Sequence, residues 1–384
     1  MRVAIIHYWL VGMRGGERVL EQLCMMFPDA DIYTHVADPA KLSPLLRRHK
    51  ITETFIGRLP GAKKHYQKYL ALMPRALESL DLTGYDLVIS SESGPAKGVI
   101  PPPDTAHVCY CHSPMRYIWD QYHAYRDGLS LPMKLAFSWL APKLRTWDVI
   151  SSNRVDQYVA NSSFVAQRIQ RCWRRDSVVV HPPVDLEAYQ PAPAPGADAP
   201  YLFLSELVPY KRADLAIEAC ARLGRRLQVV GSGPETERLK AMAPAGTEFL
   251  GRVPDEKMRA LYQGARALLF PGVEDFGIVP LEAMACGRPV LAYGRGGALD
   301  TVVDGDTGLL FHEQTAEALA ACIERFESEL EPGLDPARMA AHAGRFGQAT
   351  FRANMWAAIR AAAPGLGLDE TPPAIADVAA FASG

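Results

Sequence analysis

Two doubly wound α/β domains, each a parallel sheet covered by helices on both faces, are the architecture this sequence predicts, and three observations carry it. The chain has 384 residues, and at ~150 residues per domain that length favours two large units. Short apolar runs alternate with helix-length amphipathic stretches through both halves. Runs too apolar for a strand wetted on one side belong to parallel sheets buried on both faces. A Pro-rich stretch, Tyr189–Pro200, stands between the two series and reads as a semi-rigid linker or hinge-side loop.

The runs fall in order. In the first half they are Val3–Ile6, Ala30–Tyr33, Leu87–Ser90, His107–Tyr110 and Gln157–Ala160; in the second, Tyr201–Ser205, Leu227–Val230, Glu248–Leu250, Ala267–Phe270 and Pro289–Ala292. After Phe311 the pattern becomes helical. The domains are expected over 1–187 and 188–345, and the Pro-, Gly- and Ala-rich residues 363–384 are expected to form a poorly ordered tail. The opening Met1-Arg-Val-Ala-Ile-Ile-His7 has one basic residue and an apolar run broken by His7, so it reads as a buried first strand and not a signal peptide. No stretch approaches the ~18 apolar residues of a membrane span.

Composition removes several classes. Hydrophobic residues at 48% and charged residues at 22% describe an ordinary globular protein and exclude disorder and coiled coil. Lys and Arg number 41 against 43 for Asp and Glu, so no global field attracts polyanions and a dedicated nucleic-acid binder is not expected. Seven Cys, an odd number scattered through apolar runs, read as reduced thiols in a cytosolic protein. One segment departs from this balance. Residues 41–75 carry nine Lys/Arg against Glu53, interleaved with Phe55, Tyr66, Tyr69, Leu70 and Leu72. It is either a solvated helix face or an amphipathic surface for anionic headgroups.

In open α/β sheets ligands bind beyond the carboxyl ends of the strands, so the loops after the apolar runs are where chemistry is expected. The first run is followed by Gly12-Met-Arg-Gly15-Gly16-Glu17 at a helix start, where backbone N–H groups favour a phosphate or a sugar oxygen. The other reading is a turn that needs Gly for backbone freedom alone. Neither Gly-x-Gly-x-x-Gly nor Gly-Lys-Ser/Thr occurs there, so dinucleotide and Walker loops are not supported. Tyr110-Cys-His112-Ser-Pro places a His at a strand end, either as a ligand contact or as a satisfied structural residue. Cys109-x-Cys111 has no second Cys pair, so no metal site is expected. Ser205-Glu-Leu-Val-Pro-Tyr-Lys211-Arg212 puts two cations where a helix already carries partial positive charge, a conflict that an anionic ligand would resolve. Gly231-Ser-Gly233-Pro234 is a further close-approach turn. Lastly, Phe270-Pro-Gly-Val-Glu274-Asp-Phe276-Gly277-Ile278-Val-Pro-Leu-Glu282-Ala-Met-Ala-Cys-Gly287 carries two carboxylates at a loop and a helix start. Acceptor-only carboxylates in that arrangement suit the vicinal hydroxyls of a polyol.

This Glu-x7-Glu segment, with Val208–Arg212, Gly231–Pro234, Ala160-Asn-Ser162, Pro182-Pro-Val-Asp185 and Gly294-Arg-Gly-Gly-Ala298, resembles the retaining nucleotide-sugar glycosyltransferases of family 4 over about residues 1–360. Trp9–Glu17 and Tyr110–Tyr117 are similar to a bacterial subgroup that builds surface polysaccharides, often with mannose-type donors. The resemblance implies a GT-B fold, two Rossmann-like domains facing a central cleft, with the helix 346–362 crossing back to the first domain. It implies that a GDP- or UDP-linked hexose is the donor and a lipid-linked or polysaccharide hydroxyl the acceptor, with no metal or other cofactor. Lys211, with Arg212 beside it, would neutralise the diphosphate; Glu274 would hold the transferred sugar and Glu282 the ribose. Gly15 and Gly16 would approach phosphate or sugar, His112 would touch the sugar near the reacting carbon, and the backbone of Phe276, Gly277 and Ile278 would complete the cradle.

Glu206 stands where many relatives have Arg. Either it points away from the diphosphate or binding rests on Lys211 and its neighbours. The expected setting is the cytoplasm, with peripheral contact to the inner face of the plasma membrane through 41–75. Rival readings are an epimerase or hydrolase on the same fold and a non-catalytic sugar-nucleotide-binding subunit.

Overall fold

A computed structural model describes residues 1–372. The chain divides into two compact units, Met1–Pro183 with the segment from Ala349 onward, and Val184–Gln348. The breaks fall at 183/184 and 348/349, where the sequence suggested 187/188 and 345/346.

The first unit holds β1 (Val3–His7), β2 (Asp31–Thr34), β3 (Ile51–Glu53), β4 (Leu87–Glu92), β5 (Ala106–Cys111), β6 (Gln157–Ala160) and β7 (Ser177–Val179), all parallel in the order β3-β2-β1-β4-β5-β6-β7. Every residue of β1 and β4 is buried, as strands covered on both faces must be. The helix Gln348–Ala362 belongs to this unit. Its Phe351, Met355, Trp356 and Ile359 enter the same core as Ile5, Leu20, Leu23 and Val108, and Trp356 stacks on Phe27 with ring centroids 5.8 Å apart.

The second unit holds β8 (Tyr201–Leu204), β9 (Leu227–Val230), β10 (Thr247–Gly251), β11 (Leu268–Phe270), β12 (Val290–Tyr293) and β13 (Gly308–Phe311), also parallel, ordered β10-β9-β8-β11-β12-β13. Strand order therefore reverses between β1 and β4 in one sheet and between β8 and β11 in the other. At such reversals the loops beyond the carboxyl ends splay apart and leave a crevice for a ligand.

Three sequence expectations are corrected. The Pro-rich stretch is not the link between the units but lies inside the second, where the buried Arg288 donates to the carbonyls of Ala192 and Pro193 at 2.6 Å. Of the expected tail, Trp356 Nε1 donates to the Asp369 carbonyl at 2.9 Å, and Leu366 and Leu368 pack on the core, so its first residues are fixed; residues 373–384 lie outside the described residues. In segment 41–75 the aromatic and aliphatic side chains turn mostly inward, in short helical turns around Ile56, Ala62, Met73 and Ala76. Tyr66 packs on Trp9 at 4.7 Å, and the Tyr69 hydroxyl donates to the Pro60 carbonyl. Leu72 stays exposed, as do all nine cations.

Candidate active site

In the second unit the loops after β8 and β11 flank the reversal. Beyond β8, the buried Leu207 anchors the loop, a single 3-10 turn spans Pro209–Lys211, and Arg212 takes a left-handed conformation (φ 56°) before the helix Ala213–Leu223. Lys211 Nζ forms a direct ion pair with Glu274 Oε1, and both side chains are largely covered. Arg212 makes a two-pronged contact with Asp214, Nε to Oδ1 at 3.1 Å and Nη2 to Oδ2 at 2.9 Å. The cations at this helix start are thus each matched by a carboxylate of the chain itself, Asp214 lying in the helix's first turn where the dipole favours it. Glu206 is exposed, and its place beside the loop leaves the pairing to Glu274 and Asp214.

Close backbone approach sets this geometry. A Cβ on Gly272 would lie 2.9 Å from Lys211 Cα, and one on Gly297 would lie 2.2 Å from Phe276 Cα, so both loops depend on the missing side chain. Gly297 N–H also donates to the Glu274 carbonyl at 2.9 Å, and Gly296 (φ 74°) abuts the same carbonyl. The loop Gly294–Ala298 thereby braces Glu274–Gly277 from behind. Gly231 and Gly233 do likewise for the loop after β8, pressed on the carbonyls of Ser205 and Leu207. Their close approach is to the neighbouring backbone.

Gly277 (φ 90°) precedes the helix Ile278–Ala285, whose start has no side-chain cap. The first N–H groups of a helix have no intrahelical partner and carry its positive dipole end, which makes this loop a cradle for negative oxygen. Glu282 is the helix's fifth residue, one turn further in than the sequence suggested. It accepts from the Tyr262 hydroxyl at 2.7 Å and from Tyr189. Burial raises its carboxyl above the ordinary range, and the two tyrosine hydroxyls pull against that shift. Sequence reasoning missed both tyrosines; a buried Tyr in the polar helix Asp255–Gly264 was the available signal.

In the first unit, β1 and β4 pair with His7 opposite Ser91. Ser91 Oγ lies 3.0 Å from His7 Nδ1 and 2.9 Å from His112 Nε2, joining three residues of which only His112 was singled out beforehand. His7 Nε2 faces Glu17 Oε1 at 3.9 Å. Burial works to raise Glu17, but His7 and the Arg14 amide outweigh it and hold this carboxyl below the usual range. Burial pushes His112 down to about 3, so its imidazole is neutral. Gly16 sits against the Tyr8 hydroxyl, which a Cβ there would meet at 2.1 Å; Gly15 is exposed at the first position of the helix Gly15–Met26. Cys109 and Cys111 are buried in β5, and burial raises both thiols.

Two parallel doubly wound units with glycine-braced loops at their reversals, an uncapped helix start and a Lys–Glu pair beside it define the GT-B glycosyltransferase class. Residues 13–188 match the family model described as Glycosyltransferase Family 4, and residues 188–343 that described as Glycosyl transferases group 1. The chain belongs to the glycosyltransferase family that these two models describe end to end. It is 32% identical over 201 residues to the GDP-mannose-dependent alpha-(1-6)-phosphatidylinositol monomannoside mannosyltransferase of Mycolicibacterium smegmatis, covering 44% of this chain and 53% of that protein. It is 33% identical over 225 residues to the D-inositol 3-phosphate glycosyltransferase of Nocardia farcinica, 50% of this chain and 49% of the relative. The chain thus spans about half the length of these curated relatives. Among solved structures, sucrose-phosphate synthase from Thermosynechococcus elongatus superimposes with a TM-score of 0.69 at 18% identity, covering 94% of this chain and 98% of that one. Anabaena HepE in complex with UDP-glucose gives 0.67 at 18% identity, over 94% and 99%. At that identity the likeness is one of fold.

Proposed function

We propose that this protein transfers a hexosyl group, with retention, from a nucleotide diphosphate sugar to a hydroxyl of a lipid-linked or polysaccharide acceptor in bacterial surface-glycan synthesis. The observation that carries the reading is the Lys211–Glu274 ion pair beside the strand-order reversal, next to the uncapped helix start at Gly277. The mycobacterial relative is a GDP-mannose-dependent mannosyltransferase, which favours GDP-mannose as donor. On binding, Lys211 exchanges Glu274 for the diphosphate, with Arg212 as a second cation. The freed Glu274 accepts from the hydroxyls of the sugar, Glu282 accepts from the ribose, and the backbone of Phe276, Gly277 and Ile278 lines the phosphate. In the first unit, Gly15 and Gly16 approach the donor and His112 contacts the sugar.

In the step itself, the bond from the anomeric carbon to the diphosphate oxygen breaks. The acceptor oxygen bonds to that carbon on the same face, and its proton passes to the leaving phosphate. Lys211 and the helix start take up the charge that develops on the leaving group, so the rate should survive a chelator. Capture of a covalent glycosyl group on any Asp or Glu would overturn this route.

The test is thermal-shift screening against GDP, UDP, ADP, GDP-mannose and UDP-hexoses with Lys211→Ala as control, followed by nucleotide release with and without acceptor. A shift with one nucleotide class that the control loses, and acceptor-dependent release, are expected. Release without acceptor would favour the epimerase or hydrolase reading. Binding without any release would favour the non-catalytic subunit.

Among the described residues no helix is long and apolar enough to cross a membrane. We place the protein at the cytoplasmic face of the membrane, held by the nine exposed cations of 41–75 together with a stripe of the helix Leu131–Ser152. On that helix Leu131, Leu135 and Trp139 recur every four residues and are 71, 65 and 67% exposed. Leu70 of the basic segment packs in the same cluster as Ala141 and Leu144, which joins the two features. An apolar stripe beside a cationic field matches an anionic lipid surface. Sedimentation with phosphatidylglycerol vesicles should fall in Leu131→Ser/Leu135→Ser/Trp139→Ser; unchanged sedimentation would remove the docking role.

A further inference from the structure

Ser91 Oγ has one proton to give and stands between two imidazole nitrogens, His7 Nδ1 at 3.0 Å and His112 Nε2 at 2.9 Å. At most one of these nitrogens can therefore accept from the hydroxyl, the other having to donate to it, and the contacts at Ser91 alone do not decide which. The far end of the row does. His7 and Glu17 are both buried, and among the described residues His7 Nε2 has no hydrogen-bond partner, its facing group being the Glu17 carboxylate at 3.9 Å. Glu17 Oε2 in turn accepts from the Arg14 amide at 3.0 Å, which keeps the carboxylate anchored in the first turn of its helix. In a site shielded from water, a bare nitrogen lone pair aimed at a carboxylate is repelled, whereas an N–H aimed at it is attracted.

In a neutral His7 ring the single proton consequently sits on Nε2 and leaves Nδ1 as an acceptor. We infer that Glu17, His7 and Ser91 form a polarised row that fixes the proton of His112 on Nε2 and so presents Nδ1 as a hydrogen-bond acceptor to a donor-sugar hydroxyl. The parallel register supports it. His7 and Ser91 are direct partners on β1 and β4, and His112 follows the last residue of β5, itself paired to β4 through Glu92 and Cys111. The His112 amide donates to the Glu92 carbonyl at 2.8 Å, so the backbone that carries the ring is fixed by the same sheet. Glu17, His7 and Ser91 are positioning residues: they act through His112. The role toward sugar rests on the reading proposed above, while the tautomer does not.

The experiment is long-range proton–nitrogen correlation on the full chain with ¹⁵N-labelled histidine, assigning His112 by the signals missing in His112→Asn. The expected spectrum shows His112 with a bare Nδ1 and a protonated Nε2. Glu17→Gln, which keeps the shape and removes the charge, should move it toward a mixture of tautomers. Ser91→Ala should also do so, and serves if Glu17→Gln melts early. In steady-state assays Glu17→Gln should lower kcat about tenfold, the value of one oriented hydrogen bond, with GDP affinity unchanged. A His112 protonated on Nδ1 in the unsubstituted protein, or a pattern that neither variant moves, overturns the row. The expected tautomer with an unchanged kcat in Glu17→Gln overturns instead the placement of His112 at the sugar.

Discussion

Replacing Lys97 by Met tests whether buried charge holds the His112 loop in place. Lys97 has no exposed surface, and neither have the two carboxylates it serves. Its Nζ pairs directly with Asp148, lies 3.5 Å from Glu92 Oε1, and sits over the Trp173 ring at 4.3 Å. Asp148 Oδ2 also accepts from the indole N–H groups of Trp119 and Trp173, each at 2.7 Å. Glu92 accepts from the Lys97 amide through its side chain and from the His112 and Ser113 amides through its carbonyl. Methionine fills the space of lysine and removes the charge together with its hydrogen bonds to Glu92 and Asp148. Two carboxylates are then left in a water-free interior, and breaking a buried pair in this way costs about 3–5 kcal/mol.

The cost should depend on pH in a fixed direction. Burial first, and the charge of Asp148 with it, already push Glu92 up to about 7, against the pull of Lys97. A carboxyl with a raised folded pKa binds its proton more tightly in the folded state, so stability is highest below the unfolded value near 4.5 and is lost as pH rises through 7. Without Lys97 the carboxyl rises further. The variant should therefore be hurt most at pH 8, where Glu92 is forced to ionise, and least at pH 5, where it is neutral and only Asp148 lacks a cation. Urea unfolding at both values measures the difference, and at pH 8 a fall in melting temperature of about 10 °C is expected. A loss below about 1 kcal/mol at pH 8, or the same loss at both values, would refute the argument.

Four further outcomes are expected. Tyr262→Phe deletes the 2.7 Å hydrogen bond to Glu282, which at about 1.5 kcal/mol for a bond to a charged group should weaken nucleotide binding about tenfold by calorimetry. Gly297→Ala drives a Cβ to 2.2 Å from Phe276 Cα; donor affinity should fall at least about tenfold, while Gly264→Ala, in open space, should leave it unchanged. Burial pushes His35 down to about 4, and among the described residues its Nε2 has no hydrogen-bond partner. The unfolded chain protonates this ring near 6.5 and the folded one does not, so stability is lost as pH falls below 6.5. His35→Leu should shrink the urea-measured difference between pH 7.5 and pH 5 by about 2 kcal/mol. Glu274→Gln breaks the ion pair with Lys211 and should tighten GDP about fivefold, the worth of a partly exposed pair, while weakening GDP-mannose.

The interior strands were legible in the sequence, and of the four edge strands only β10 was. Gln157–Ala160 and Leu227–Val230 coincide with β6 and β9, whose apolar runs are buried on both faces. The strands that escaped were β3, β7 and β13, all at sheet edges; Ile-Thr-Glu and Ser-Val-Val there are not apolar throughout, and the apolar Gly-Leu-Leu-Phe of β13 is only four residues long. Lys211 and Glu274 were legible because each lies in the loop that follows a recognisable strand. His7, Ser91 and Glu17 were not, because they meet only through the order β1-β4-β5 and its register, neither of which composition records. In segment 41–75 the charge was legible but not the facing of the rings, since 3-10 turns break the helical period that the reading assumed.

The resting ion pair bears on how such a site would tell its donor from the product nucleotide. A cation set out to receive a diphosphate, and a carboxylate set out to receive hydroxyls, are each costly to hold alone in a half-covered crevice. Lys211 and Glu274 lower that cost by holding each other. On the proposed reading, a free nucleoside diphosphate gains Lys211 but strands Glu274 beside its own negative charge. A nucleotide sugar supplies an anion to the lysine and hydroxyls to the glutamate, so both halves of the broken pair are matched again. Once the glycosyl group has left, Glu274 loses its partner and competes for Lys211, which favours release of the nucleotide. On that reading the pair would act twice, on entry as a filter for the intact donor and after transfer as a means of expelling the product.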